Sequence, residues 1–215
     1  LKEALKLKED SKIHTIYQQA LTKTGRLSSK EPNLQNIPIK TEEGKELRKV
    51  FVSSENNYLL SFDYSQIELR VVCELANIKN LQAAFENNLD IHYETAKKIF
   101  GKEKISDYER SIAKAINFSI IYGKTSWGLS EDLNISLKEA EKFINNYFTT
   151  YPEIKTYMDK QIEFAEQNGY VTTLFNRKTY IPELSSKNYM TRRFGKRIAM
   201  NAPIQIGRAS CRERV

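Results

Sequence analysis

Cysteine is nearly absent from this 215-residue chain: Cys73 and Cys211 are too few for a disulfide framework or a cysteine metal cluster. Long apolar runs are missing too. No stretch approaches the roughly 20 residues that a membrane helix needs, and the first segment, LKEALKLKED, has neither the apolar centre nor the cleavage site of a secretory leader. There is no internal repeat and no low-complexity tract. These absences argue against a secreted disulfide scaffold, a membrane span and a solenoid. The expectation is a soluble, cytoplasmic, monomeric protein with no membrane partner.

What is present suits a globular fold. At 40% hydrophobic and 28% charged residues the chain can bury a core, as one large domain or two modest ones. The net charge of +7 leans toward a polyanionic partner. Part of it comes from the last nine residues, GRASCRERV, with three arginines and one glutamate; without them 31 basic residues face 26 acidic ones, a balance of +5.

Along the chain, residues 12–21 alternate polar and apolar as a strand does, and TKTGRLSSKEPNLQNIP then breaks all periodicity, as an ordered loop or contact surface would. LRKVFVSS (47–54) and NYLLSFDY (57–64) read as two short strands around the turn-prone SENN. From Ser65 the pattern becomes helical, with Ile67, Val71, Val72 and Leu75 on one face. Further helices are expected over 80–87, 91–100, 107–122, 137–149 and 153–168, the last closed by Gly169, with Ser136 and Glu139 forming a capping box. GYVTTLFNRKTYIPEL reads as a hairpin around FNRK, and 187–201 as a final helix. The fold class is α+β.

The run DYERSIAKAINFSIIYG is the most informative. Arg110, Lys114, Phe118 and Tyr122 recur every four residues and form one stripe, at heights of about 0, 6, 12 and 18 Å along the axis. Ile112, Ala113, Ile116 and Ile120 fall elsewhere and can face a core. Two cations at i,i+4 in the N-terminal half of a helix oppose each other and the macrodipole. A bound anion would offset both penalties: two cations about 6 Å apart followed by an aromatic ring suit a triphosphate with its base stacked beyond it. A solvated basic edge running into an aromatic core stripe is the bland alternative.

RSIAKAINFSIIYG resembles the fingers-helix motif of the family A DNA polymerases, the DNA polymerase I family. DYSQIELR resembles the palm motif of that family, TGRLSSKEPNLQNIP its primer and template contact segment, DIHYETA a further fingers motif, and RIAMNAPIQ the palm helix that meets the DNA minor groove. The five motifs stand in family order across about residues 12–205. The resemblance implies part of a right-hand polymerase, with helical fingers on part of an antiparallel-sheet palm: palm over 1–76 with a thumb-proximal start, fingers over 77–186, a palm re-entry helix over 187–206, and a foreign tail over 207–215. The reaction it implies is attack of a primer 3′-hydroxyl on the α-phosphate of a dNTP, assisted by two Mg²⁺. The implied partners are primer–template DNA and dNTPs.

Residue by residue, the resemblance makes Asp63 the carboxylate bridging both metals, with the Tyr64 carbonyl as a further ligand. Arg110 and Lys114 would act catalytically on the β- and γ-phosphates, with His92 a lesser contact. Gln66, Glu68, Phe118, Tyr122 and Gly123 would shape the nucleotide pocket. Phe118 would stack on the incoming nucleotide; Phe rather than Tyr here goes with discrimination against dideoxynucleotides in this family. Glu68 would be a steric gate against a ribose 2′-hydroxyl, bonding toward Tyr122, although Ser65 and Glu68 also stand at capping-box spacing and the two readings compete for one side chain. Arg26, Asn33, Gln35, Asn36, Arg197, Asn201 and Gln205 match DNA contacts. The chain departs from the pattern at Ser119, where many relatives have Gly. It also lacks the His-Asp-Glu triplet that carries the family's other metal carboxylate, so an internal piece inactive on its own is expected. A non-catalytic binding module and a single-subunit RNA polymerase are the alternatives.

Overall fold

A computed structural model describes residues 12–22, 25–39, 41–62 and 64–205. The chain divides into two compact units, one ending at Ser65 and one beginning at Gln66. The fold is α+β, with helices and two small antiparallel sheets.

In the first unit, strand β1 (Ile16–Gln18) pairs antiparallel with β2 (Ser28–Lys30), Ile16 opposite Lys30 and Gln18 opposite Ser28. The strand expected over 12–21 is thus confined to three residues, and its partner lies in the segment expected to be loop. Side chains stabilise that pairing: the Thr22 hydroxyl donates to the Arg26 carbonyl, and Thr15 Oγ1 lies 3.0 Å from the Lys30 carbonyl and 2.7 Å from that of Pro32. Buried Ser29 donates to Asn33 Oδ1.

Helix α1 (Glu42–Lys49) follows and takes in Leu47–Lys49 of the expected strand LRKVFVSS, whose residues 50–54 form neither helix nor strand. Its local signals are consistent: Thr41 accepts from the Gly44 N–H, Glu42 and Glu43 sit in the first turn, and Arg48 and Lys49 in the last, each complementing the macrodipole. Gly44 faces Pro38, whose carbonyl oxygen would lie 2.6 Å from an added Cβ. The second expected strand, 57–64, is also absent over its described residues. Strand propensity expresses packing against ladder neighbours. Val52, Tyr58, Leu59, Leu60 and Phe62 are instead exposed, and no described segment pairs with them.

The second unit is built on α2 (Ile67–Leu75), α3 (Lys79–Glu86), α4 (Ile91–Phe100), α5 (Asp107–Ile121), α6 (Ser126–Leu133), α7 (Leu137–Thr150), α8 (Pro152–Asn168) and α9 (Tyr189–Asn201). Between α8 and α9, strands β3 (Tyr170–Thr172) and β4 (Lys178–Tyr180) form the expected hairpin, followed by a 3₁₀ turn, Pro182–Ser185. Gly169 closes α8 at φ 77°, and Ser136 and Glu139 form the expected capping box of α7. Ser106 and Glu109 make another on α5. Helix α6 is an addition to the expected elements: it is short, contains Gly128, and is bounded by the Thr125 cap and by Asn134 at φ 53°. The buried stripe of α2 is Leu69, Val72 and Cys73, with Val71 and Leu75 at its margin, so the helix is turned from the face expected. Together with Ile91, Ile112, Ile116 and Ile120 these residues form the main core. Burial pushes the Cys73 thiol up to about 11. A smaller core of Val171, Ile181 and Ala199 lies under the hairpin. No helix among the described residues is long and apolar enough to cross a membrane.

Candidate functional site

Helix α5 carries the site. Its apolar positions behave as their spacing requires: Ile112, Ala113, Ile116 and Ile120 are buried, while Lys114 is exposed and Arg110, Phe118 and Tyr122 are half-buried. The stripe is displayed along one side, with cations toward the N-terminus and rings toward the C-terminus.

The cost of placing Arg110 near a helix N-terminus is met within the protein. Arg110 Nε donates to Asp90 Oδ2 at 2.7 Å, and the other oxygen of Asp90 caps α4 by accepting from the His92 and Tyr93 N–H groups. Partial burial pushes the Asp90 carboxyl up, but the Arg110 hydrogen bond and the two backbone donors outweigh it and hold the group below the ordinary carboxylate value. Lys102 pairs with Glu109 at 2.7 Å, and its hydrogen bond, with those from Ser106, holds Glu109 down at about 2. Lys114 makes no such pairing among the described residues and is exposed to solvent, as the second cation of the stripe.

At the C-terminal end, α5 closes in a Schellman arrangement: the Gly123 N–H donates to Ile120 O and the Lys124 N–H to Ser119 O. Gly123 has φ 62°, and an added Cβ would lie 2.7 Å from Met200 Cε and 3.2 Å from Arg197 Cγ, so a glycine lets α9 pack on this turn. Asn201 Nδ2 donates to the Tyr122 carbonyl at 3.1 Å. The Tyr122 hydroxyl donates to Glu68 Oε2 at 2.5 Å, and Glu68 is buried. The capping alternative for Glu68 is not realised, because the N-cap of α2 is Gln66, at φ 53°, with no side-chain cap bond. Gln66 Oε1 is buried without a hydrogen-bond partner among the described residues.

His92 is buried rather than displayed, 3% exposed, its ring tilted against Phe118 at 5.8 Å between centroids. Desolvation holds its pKa down at about 4, with Lys114 and Arg110 adding to the effect and Asp90 opposing it. Asn117, which no expectation named, donates from Nδ2 to His92 Nδ1 at 3.1 Å and to Thr95 Oγ1 at 3.3 Å. The signal was available: Asn117 lies four residues after Ala113, on the core face, where a polar side chain requires a partner.

Among the remaining expected residues, Asn33, Gln35 and Asn36 are exposed, and Asn33 Oδ1 accepts from the Gln35 N–H. Arg26 is half-buried in the first unit. Arg197 is exposed and Gln205 half-buried in the second. Tyr64 is exposed, whereas Asp63 lies outside the described residues. No group of three or more metal-ligating side chains occurs among the described residues.

The family model for DNA polymerase family A matches residues 1–211. DNA polymerase I of Bacillus caldotenax is 51% identical over 200 residues, 92% of this chain and 23% of that protein. DNA polymerase I of Geobacillus stearothermophilus is 52% identical over 197 residues, 90% of this chain and 22% of that protein. The chain therefore spans about a quarter of the length of these relatives. A solved structure, the POL domain of Pol1 from M. smegmatis in complex with DNA primer-template and dNTP, superposes with a TM-score of 0.83 at 36% identity, over 96% of this chain and 36% of that one.

Proposed function

Because the chain belongs to DNA polymerase family A, we propose that the α5 stripe is the dNTP-binding face of a template-directed DNA polymerase, of which these residues form part. The observation that carries this reading is the single-sided array of Arg110, Lys114, Phe118 and Tyr122, with Tyr122 held on buried Glu68. Lys114 would neutralise the triphosphate, and Arg110 would join it by exchanging Asp90 for phosphate, one anion for another at the same guanidinium. Phe118 would stack on the nucleotide. Glu68 has its carboxylate committed to Tyr122, so a 2′-hydroxyl there would find neither space nor an open acceptor, which favours deoxynucleotides over the RNA polymerase alternative. Gln66 and Gly123 would complete the pocket wall.

The palm-and-fingers division at residues 76 and 186, and a foreign origin for 207–215, belong to the same reading. Arg26, Asn33, Gln35 and Asn36, with Arg197, Asn201 and Gln205, would meet primer–template DNA; Asn201 would do so on releasing Tyr122. Asp63 and the Tyr64 carbonyl would hold Mg²⁺, and hard oxygen donors of this type fit that ion. When bound, the two ions would activate the primer hydroxyl and steady the leaving pyrophosphate. One carboxylate undercompensates two divalent ions, so the 215-residue chain would bind nucleotide without extending a primer.

The test is dATP binding to the 215-residue chain with Mg²⁺, followed calorimetrically, with primer extension run in parallel. Lys114→Ala should weaken binding by about tenfold, the value of one charge-assisted contact, and no extension should occur. Equal affinity in the two proteins would remove the stripe as the triphosphate site, and incorporation by the chain would overturn its inactivity.

A further inference from the structure

A buried polar cluster lies behind the stripe, and apart from the lesser phosphate contact expected of His92 no work has been assigned to it. It consists of His92 and Thr95 on α4 and Asn117 on α5, all less than 4% exposed, with the Tyr151 hydroxyl 3.5 Å from Thr95 Oγ1. The Asn117 amide spends both of its hydrogens, one on His92 Nδ1 and one on Thr95 Oγ1, and its oxygen is buried without a partner among the described residues. Turning the amide over would instead leave two donor hydrogens unpaired in the interior. An orphan acceptor is the smaller penalty, so the amide has a preferred orientation. That orientation dictates the state of the imidazole. Nδ1 must present its lone pair to Asn117, and the ring proton must sit on Nε2; a protonated ring would set an N–H against the amide hydrogens.

We infer that Asn117 is a positioning residue for His92, fixing the ring as the neutral tautomer with its proton on Nε2, so that His92 meets a triphosphate as an uncharged donor. The contact with triphosphate rests on the function proposed above; the tautomer does not. The charged groups facing the ring are Asp90 from its own helix and Arg110 and Lys114 from α5, and the two cations work in the same direction as the amide. The arrangement separates two tasks on one helix face. Arg110 and Lys114 supply charge, and His92 supplies direction without adding a third cation or a proton that could leave near neutral pH. The same amide bridges α4 and α5 one residue before Phe118, so it also fixes the height of the stacking ring.

The experiment uses the whole 215-residue chain labelled with ¹⁵N-histidine. There are only two histidines, and His14 serves as the internal reference. Long-range proton–nitrogen correlation should find His92 in the Nε2–H form from pH 8 down to 5.5 without titration. An Nδ1–H form or an imidazolium in that range would overturn the inference, and this measurement needs no variant. Asn117→Asp replaces the donor with an acceptor of the same shape; it should draw a proton onto Nδ1 and raise the His92 midpoint by one to three units, as a close carboxylate does. An unchanged midpoint in the folded variant would also overturn it. Adding dATP to the wild type should shift Nε2 and leave Nδ1 in place. A fixed tautomer with an indifferent Nε2 would keep the assignment of Asn117 and remove His92 from the triphosphate contact.

Discussion

The two ends of α5 are held by different physics. At the N-terminal end the anchors are charges in or near water: Lys102 with Glu109, Arg110 with Asp90, and the Ser106 capping box. At the C-terminal end they are shape and buried hydrogen bonds: Gly123 under Met200 and Arg197, Asn117 between His92 and Thr95, and Tyr122 on Glu68. Exposed ion pairs contribute a few tenths of a kcal/mol and respond to salt, whereas buried bonds and close packing contribute more and do not. The end proposed to exchange partners with a ligand is therefore loosely and electrostatically held, and the end proposed to keep a ring and a gate in register is rigidly held.

The largest effect that sharpens this contrast is a pH dependence at the buried end. His92 has an ordinary value of 6.5 and a folded value of about 4, so the unfolded chain binds the proton more readily. His92 is neutral in both states above about pH 7 and costs nothing there. As the pH falls from 6.5 to 4 the unfolded state gains protons first and stability is lost, by about 3 kcal/mol at the acid limit. Asp90, depressed below its ordinary 3.8, keeps its own contribution through that window and loses it only below it. Urea unfolding of the chain followed through Trp127, its one tryptophan and a residue of α6 in this unit, measures the slope. A stability flat between pH 7 and 4.5 would contradict the burial of a neutral ring.

Next in size is Gly123→Ala. A methyl group at φ 62° is strained by about 1 kcal/mol, and contacts at 2.7 and 3.2 Å to Met200 and Arg197 must relax before α9 can seat. The expected loss is about 2 kcal/mol, insensitive to salt. Gly101, also at positive φ but with open space around the added carbon, is the control and should lose only the backbone part.

How far the sequence alone reaches follows the same division between local and distant causes. The α7 capping box, the Gly169 closure, the FNRK hairpin and the buried isoleucines of α5 are written in neighbouring residues, and each was legible. The segment 51–62 is rich in strand formers, but a strand is a relation to a partner, and none of the described residues supplies one. Glu68 at capping distance from Ser65 is ambiguous by spacing; its bond to Tyr122, 54 residues on, is settled only by folding. Asn117 is a polar residue on an apolar face, a signal that no expectation used, and its partner His92 is fixed only by folding. For the site as a whole, the α5 stripe was readable from its four-residue recurrence, while the identity of the anion already in place, Asp90, was not.

The smallest effect belongs to the exposed end, and its value lies in its salt dependence. Lys102 holds Glu109 at 2.7 Å, with the lysine well exposed and the glutamate also committed to its own capping box. Lys102→Ala removes the cation and leaves the box intact, so the loss should be small at low ionic strength and vanish at 1 M salt, where the screening length is about 3 Å. Ser106→Ala at the same end removes the hydroxyl that caps the Glu109 N–H, and should cost about 1 kcal/mol at either salt concentration. If Lys102→Ala were as damaging as Gly123→Ala, or equally so in high salt, the two ends of α5 would not differ in kind, and the proposal that Arg110 trades Asp90 for a phosphate would lose its basis.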